Sequence, residues 1–370
     1  MTGLYIHIPF CQTRCPYCDF AFVVNKTHLA DRYTKAVIRE FETRIKDLEP
    51  APEWCSLYFG GGTPTAIPIQ NLKQILETVQ TKTALSPQVE ITAEANPGNQ
   101  DRFSDLKAIG INRLSLGVQA LDNRALKALG RNHTAEEALS AFHDARRAGF
   151  ENIGMDLIFG APGQTVSEWR STLQQAIQLN PEHLSVYGLT VEPETPYARQ
   201  YENGNLSLPP ESAQAEMYGQ AIDLLSGAGY VHYEISNFAR PGFASQHNLG
   251  YWEERPYVGI GLSAHSFTAG RRSWNIRGLM AYIREVEATG TAQEGEEMLK
   301  PADRDLERIM LGLRKRTGVS ETLVSIPRLR PQLDRLLSDR LLEKDNGHLR
   351  LTRKGLLLAD LVCAQLVKEL

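Results

Sequence analysis

Six short apolar runs, residues 4–8, 55–59, 89–95, 113–117, 153–159 and 183–187, punctuate the first half of this 370-residue chain. Between and after them the spacing of apolar residues predicts helices over 28–48, 101–109, 123–129, 134–148, 166–179 and 212–228. In the first of these, Leu29, Tyr33, Val37, Phe41, Ile45 and Leu48 fall on one face. Strands that alternate with helices build parallel βα units, and six of them fit an α/β fold of the partial (β/α)6, TIM-like barrel type. In such a fold the reactive groups gather at the C-terminal ends of the strands. Those ends here carry Cys11, then Gly60 to Thr63, Glu94 with Asn96, Gln119, Asp156 with Gly160, and residues 187–190. One such placement is chance, whereas six along one rim predict a site.

Three of the five cysteines, Cys11, Cys15 and Cys18, lie within eight residues just after the first strand. Spacings of four and three let one loop wrap three sulfurs around a single centre, as iron–sulfur proteins do. A disulfide cannot satisfy three thiols. A zinc ion completed by His7 or another residue is the competing centre, but zinc motifs usually pair two CxxC-like hooks and no second hook is present in the sequence. With three protein ligands, a [4Fe–4S] cube keeps one iron that these cysteines do not cover, open to a small chelating ligand. Cys55 and Cys363 stand alone in apolar surroundings and read as buried thiols.

Composition narrows the function classes. A net charge of −4 predicts no general attraction to nucleic acid or anionic membrane. The sequence has no run of eighteen apolar residues and no basic leader before an apolar segment, so neither a membrane span nor a secretory signal is expected. Reduced thiols then point to the cytoplasm. The chain exceeds the length one core usually serves. The expected division is a barrel over 1–230, a loop-rich extension over 231–300 and a small winged-helix-like domain over 301–370. That last segment carries 14 Lys+Arg against 10 Asp+Glu, but the signs alternate along it without a basic stripe, which favours a structural or protein-facing role over DNA binding.

Individual residues sharpen the picture. The run Gly60-Gly61-Gly62-Thr63-Pro64 places glycines where a strand becomes a loop, letting backbone approach a ligand with free N–H and C=O groups. Glu94 ends a strand with a carboxylate suited to ribose hydroxyls or a positive charge. Asp156 interrupts an apolar strand and needs a partner if buried, for which Arg131 is a candidate. Gln246-His247-Asn248-Leu249-Gly250-Tyr251-Trp252 sets an exposed-looking histidine beside two aromatics, an arrangement that could ligate a haem iron with the rings against the macrocycle. His265 is its rival.

Taken together, Tyr5 to Cys11, Cys15, Tyr17 to Phe20, Gly60 to Thr65, Glu94, Gly117 to Gln119, Gly130 to His133 and Asp156 to Ile158 resemble the oxygen-independent coproporphyrinogen III oxidase family of radical SAM proteins. The resemblance runs nearly the length of the chain and is greatest to the haem-chaperone branch. The oxidase pattern has a fourth cysteine where Phe20 stands here, and an extension before the first strand. The HNxxYW pattern at His247 matches the chaperone branch. The resemblance implies that Cys11, Cys15 and Cys18 ligate a [4Fe–4S] cluster whose open iron holds S-adenosylmethionine (SAM), the cluster's electron splitting the sulfonium. It implies further that Tyr5, Tyr17, Gly61, Gly62, Thr63, Glu94, Gln119, Arg131 and Asp156 line the SAM pocket, and Thr190 is a further candidate. His247 would bind haem for delivery to client haemoproteins. On this reading the chain is a chaperone rather than an oxidase, and peripheral membrane contact and a homodimer both stay open.

Overall fold

A computed structural model describes residues 2–48 and 52–367. Its centre is a run of six parallel strands in chain order: β1 (Thr2–Ile8), β2 (Glu53–Gly61), β3 (Ala84–Ala95), β4 (Arg113–Gln119), β5 (Ile153–Phe159) and β6 (His183–Gly188). The crossovers are covered by α1 (Ala30–Arg44), α2 (Ile69–Lys82), α3 (Phe103–Ala108), α4 (Asn123–Ala128), α5 (Ala135–Arg147) and α6 (Val166–Leu179), followed by α7 (Pro196–Glu202) and α8 (Glu211–Gly227). The parallel α/β expectation holds. Two helices start on capping boxes, Thr134 with Glu137 and Thr165 with Glu168, which satisfy the first free N–H groups. The periodicity passed over α2. Its Leu72, Ile75, Leu76 and Val79 form a buried stripe, but no side chain caps its start at Pro68, so the usual start signal is missing.

Residues 231–298 differ from the loop-rich expectation. They hold β7 (Val231–Glu234), β8 (Asn237–Ala239), α9 (Gln246–Trp252), β9 (Tyr257–Ile260), β10 (His265–Thr268), β11 (Arg271–Asn275), α10 (Leu279–Thr289) and β12 (Gln293–Met298). These strands extend the central sheet at both edges, in the order β12-β11-β10-β9-β1-β2-β3-β4-β5-β6-β8-β7. Strand β9 lies parallel to β1, with Leu4 opposite Val258 and Ile6 opposite Ile260. Runs of three to six residues carry too little period-two signal to be read alone. Their existence depends on the neighbouring strand that supplies the hydrogen bonds.

The C-terminal part contains α11 (Pro301–Arg314), β13 (Val319–Ser320), α12 (Arg330–Ser338), β14 (Leu342–Asp345), β15 (His348–Leu351), α13 (Arg353–Leu356) and α14 (Ala359–Val367), with its strands in the order β13-β15-β14. The helices and hairpin expected there are present, except that the last helix is two helices and Glu369, its expected end, lies outside the described residues. Asp223 of α8 accepts both ends of a fork from Arg353, at 2.5 and 2.7 Å.

Because side chains alternate along a strand, one face of the six parallel strands turns Tyr58, Glu94, Arg113, Ser115, Gly117, Asp156, His183, Ser185 and Tyr187 into a cavity of about 580 Å³. The opposite face carries Leu57, Phe59, Ile91, Ala93, Leu114, Leu116, Met155, Leu157, Leu184 and Val186, all buried in the main apolar core. The polar lumen therefore follows from register, since a slip of one residue would exchange the two sets.

Candidate functional site

The cysteine loop lies over the mouth of this cavity. Cys11, Cys15 and Cys18 all line it, together with Tyr17, Gly61, Gly62, Thr63, Glu94, Gln119, Arg131, Asp156 and Thr190. The structure thus gathers residues scattered over 180 positions of sequence. Gly130 makes the loop's position feasible. It has φ of 65°, and a Cβ there would stand 2.5 Å from Pro16 between the second and third cysteines.

The three sulfurs are partly exposed and free, and among the described residues no three His, Cys, Asp or Glu converge as ligands of a single ion would. His7, one candidate for a fourth zinc ligand, is already used. Its Nε2 is 2.7 Å from the Ala21 carbonyl and its Nδ1 is 3.1 Å from the Tyr5 hydroxyl. Burial pushes the Cys11 and Cys18 thiols up to about 11, so these groups need a cationic partner to become thiolates. Part of that charge is built in, since Arg131 Nη1 lies 3.3 Å from Cys15 Sγ. The donor set, three thiols spread around one cavity mouth beside a guanidinium, fits an iron–sulfur cluster held on three corners.

Behind the cysteines, Glu94 accepts from the Tyr58 hydroxyl at 2.9 Å and from the Gly61 N–H at 3.1 Å. Burial nevertheless raises its carboxyl to about 7, with Asp156 adding to the effect. Asp156 is also raised by burial, against hydrogen bonds from Ser185 and Ser115. The Ser115 hydroxyl stands 3.0 Å from Asp156 Oδ2. A cation brought into the cavity would restore the charged form of both carboxyls. Gln119 adopts φ of 65°, a left-handed conformation that turns its side chain at the strand end into the cavity.

Four expectations need correction. Arg131 does not pair with Asp156; its Nη2 donates to Asn96 Oδ1 at 2.5 Å and to the Gly117 carbonyl at 3.0 Å. The amides of the glycine run are not free. Gly61 N–H is held by Glu94, Gly62 N–H donates to Ile8 O at 2.9 Å and Thr63 N–H to Phe10 O at 2.8 Å. The glycines serve close packing instead, because a Cβ at Gly61 would meet His7 at 2.5 Å and one at Gly62 would meet Pro9 at 2.7 Å. Tyr5 is not among the residues lining the cavity and lies beside Tyr58, ring centroids 6.2 Å apart.

The fourth concerns His247, which is buried at 4% exposure rather than open to solvent. It lies on α9, the helix that packs against β1 and β2 at the end of the lumen away from the cysteines. Its Nδ1 is 2.9 Å from Ser56 Oγ, its Nε2 is 2.9 Å from the Tyr251 hydroxyl, and its ring stacks on Tyr58 at 5.0 Å. Burial lowers it to about 3, so the ring is neutral and fully engaged. Trp252 carries the Arg314 guanidinium over its ring at 4.9 Å, and Tyr251 packs edge-on against Tyr257. With both ring nitrogens taken inside the protein, neither is free to ligate a haem iron in this conformation. The sequence suggested exposure because the neighbouring residues look like loop; only the docking of α9 onto the sheet shows otherwise.

Sequence reasoning missed Tyr58, Arg113, Ser115, His183 and Ser185 in the cavity wall. The signal was present, since Arg113, Ser115 and Gly117 alternate with Leu114, Leu116 and Val118, and His183 and Ser185 with Leu184 and Val186.

Comparison with known proteins agrees with this geometry. Residues 5–176 match the model of the Radical SAM superfamily, and residues 299–358 match that of the HemN C-terminal domain. The chain is 35% identical to the Heme chaperone HemW of Bacillus subtilis over the whole of both chains. It is 36% identical to that of Escherichia coli, covering 95% of this chain and 94% of the other. Among solved structures, the coproporphyrinogen III oxidase HemN of Escherichia coli superposes with a TM-score of 0.86 at 25% identity, covering 100% of this chain and 90% of that one. With cysteine loop, lumen and C-terminal domain in these places, and identity sustained end to end, the chain belongs to the HemW family of radical SAM proteins.

Proposed function

We propose that this protein is a haem chaperone that holds a [4Fe–4S] cluster on Cys11, Cys15 and Cys18, takes SAM into the adjoining lumen, and binds haem for transfer to haemoproteins. The observation that carries the reading is the convergence of the three cysteines with Glu94, Gln119, Arg131 and Asp156 on one cavity, in a chain whose relatives are haem chaperones by name. When bound, the cluster would supply an electron and an open iron for the amino acid end of SAM. The chain's own residues do the rest. Arg131, 3.3 Å from Cys15 Sγ, would offset thiolate charge, and Glu94 and Asp156 would offer carboxylates to the sulfonium and ribose. Tyr17 walls the cavity beside the cysteines.

The haem ligand is not drawn from His247 in the conformation described. Of the other histidines, His265 is exposed beside Trp274, with ring centroids 6.2 Å apart, which supports it as the axial candidate. Among the described residues no helix is long and apolar enough to cross a membrane. In the β14–β15 hairpin, Arg350 pairs with Glu343 and Asp345, and Lys344 pairs with Glu321, which supports the expectation that nucleic acid is not the partner.

Anaerobic reconstitution followed by electron paramagnetic resonance with and without SAM tests the cluster reading: a signal that SAM alters is expected, and zinc without inorganic sulfide would overturn it. Haem titration of the wild type and of His265→Ala tests the chaperone reading. The rival reading, an oxidative decarboxylase of coproporphyrinogen III, draws support from the likeness to HemN. Incubation with SAM, a reductant and coproporphyrinogen III decides between them, since protoporphyrinogen formation would favour the oxidase.

A further inference from the structure

At the closed end of the lumen, Arg113 and His183 form a pair that the proposed cluster and SAM chemistry does not use. Both are buried, at 2% and 1% exposure, and both line the cavity. The hydrogen bonds of the Arg113 guanidinium run from Nη1, to Asn152 Oδ1 and to the Phe243 carbonyl, each at 3.2 Å. Glu90 Oε2 is 3.8 Å from that same Nη1, and its Oε1 is occupied by the His247 N–H and the Ser245 hydroxyl. Arg113 Nε has no partner. On His183, Nε2 is 2.7 Å from the Tyr233 hydroxyl, while Nδ1 has no partner. The Tyr233 oxygen accepts from the Ser245 N–H at 3.4 Å. The tautomer in which the Tyr233 O–H donates to Nε2 leaves a proton on Nδ1, so His183 presents an unused N–H donor.

His183 Nδ1 and Arg113 Nη2 face one notch. Gly154 stands opposite His183 in the sheet, and a Cβ built on it would lie 3.4 Å from His183 Nδ1 and 3.5 Å from Arg113 Nη2. The missing side chain leaves room for one acceptor atom within reach of both. Buried donors without partners are costly, and native proteins seldom leave them so. A guanidinium edge of Nε and Nη2 matches the two oxygens of a carboxylate, and the imidazole N–H adds a third donor.

We propose that Arg113, His183 and the Gly154 notch form a carboxylate-binding site at the floor of the lumen, which anchors the acidic arm of a ligand whose remainder extends toward the cysteines. Of the ligands of the proposed function, haem carries such a group in its propionates, since the amino acid end of SAM is assigned to the open iron at the mouth. This naming of sources rests on the haem-chaperone reading, whereas the site itself does not.

The site is tested first with propionate alone. Nitrogen NMR of histidine-labelled protein should show one histidine resonance moving saturably with propionate and not with propionamide. Gly154→Ala should abolish the shift while leaving thermal unfolding unchanged, because a methyl at 3.4–3.6 Å from its neighbours is in ordinary contact yet fills the notch. A resonance that no carboxylate moves, or one that moves equally in Gly154→Ala, overturns the site and leaves a bound water as its occupant. The source is then assigned by affinity. If haem is anchored there, the wild type binds haem roughly 10- to 100-fold more tightly than haem dimethyl ester, and Gly154→Ala removes that difference. Weakening of SAM alone by Gly154→Ala, with haem unchanged, would overturn haem as the source. A propionate response with no haem binding in the wild type would sink the chaperone reading and keep the site.

Discussion

The two ends of the lumen both carry polar side chains able to hold a ligand, and they behave differently. At the mouth, Cys11, Cys15 and Cys18 are partly exposed, and their main protein contacts are a 3.3 Å approach from Arg131 and a 3.8 Å approach from Thr63. At the floor, His247, Ser56, Tyr251 and Glu90 bond to one another, and α9 closes the end of the sheet. Residue type alone does not distinguish a ligand from a strut. What distinguishes them is whether the protein has already supplied the partner. By that measure the mouth is open to an external group, whereas both ring nitrogens of His247 at the floor are already partnered.

Replacing any one of Cys11, Cys15 or Cys18 with Ala should have the largest effect. Iron and acid-labile sulfide should be lost from reconstituted protein while the fold, read by circular dichroism, persists. Retention of a full complement by the single variants would erase the contrast between mouth and floor.

His247→Ala should act the other way, lowering stability by about 2–4 kcal/mol in denaturant unfolding, since it opens a cavity and orphans Ser56 and Tyr251, with haem affinity unchanged. Haem binding lost at unaltered stability would return His247 to the ligand role and show that the floor opens.

Glu94 offers a finer measure. Its folded carboxyl titrates near 7 against an ordinary 4.5, because burial disfavours the charged form. Ionisation therefore works against folding, so stability should fall as pH rises from 4.5 through about 7, relative to Glu94→Gln. A cation in the lumen reverses the sign, and SAM affinity should climb over that window in the wild type and stay flat in the variant. Calorimetric titration at several pH values reads both; a flat wild-type profile would mean that Glu94 faces no ligand charge. The smallest effect belongs to Gln119→Gly, which relieves a left-handed backbone and should stabilise the protein by about 0.5–1 kcal/mol while weakening SAM binding. Unchanged affinity would mark Gln119 as part of the scaffold alone.

Much of this molecule could be read before it was folded. The βα alternation, the cysteine spacing and the strand ends carrying Glu94, Gln119 and Asp156 are local in sequence, because a strand's period and a loop's ligand spacing are set within a few residues. The short strands of 231–298 were illegible for the opposite reason, since each depends on hydrogen bonds from a neighbour distant in the chain.

By itself the sequence determined that three thiols crown a parallel sheet, which rests on covalent spacing and hydrophobic period. Only the tertiary structure decided which polar groups are spent. It gave Arg131 to Cys15 and Asn96 rather than to Asp156, sealed His247 between Ser56 and Tyr251, and left Arg113 and His183 facing the space above Gly154. A hydrogen-bond partner is a fact about distance in space, and residues 56 and 247 meet only because α9 packs against β2.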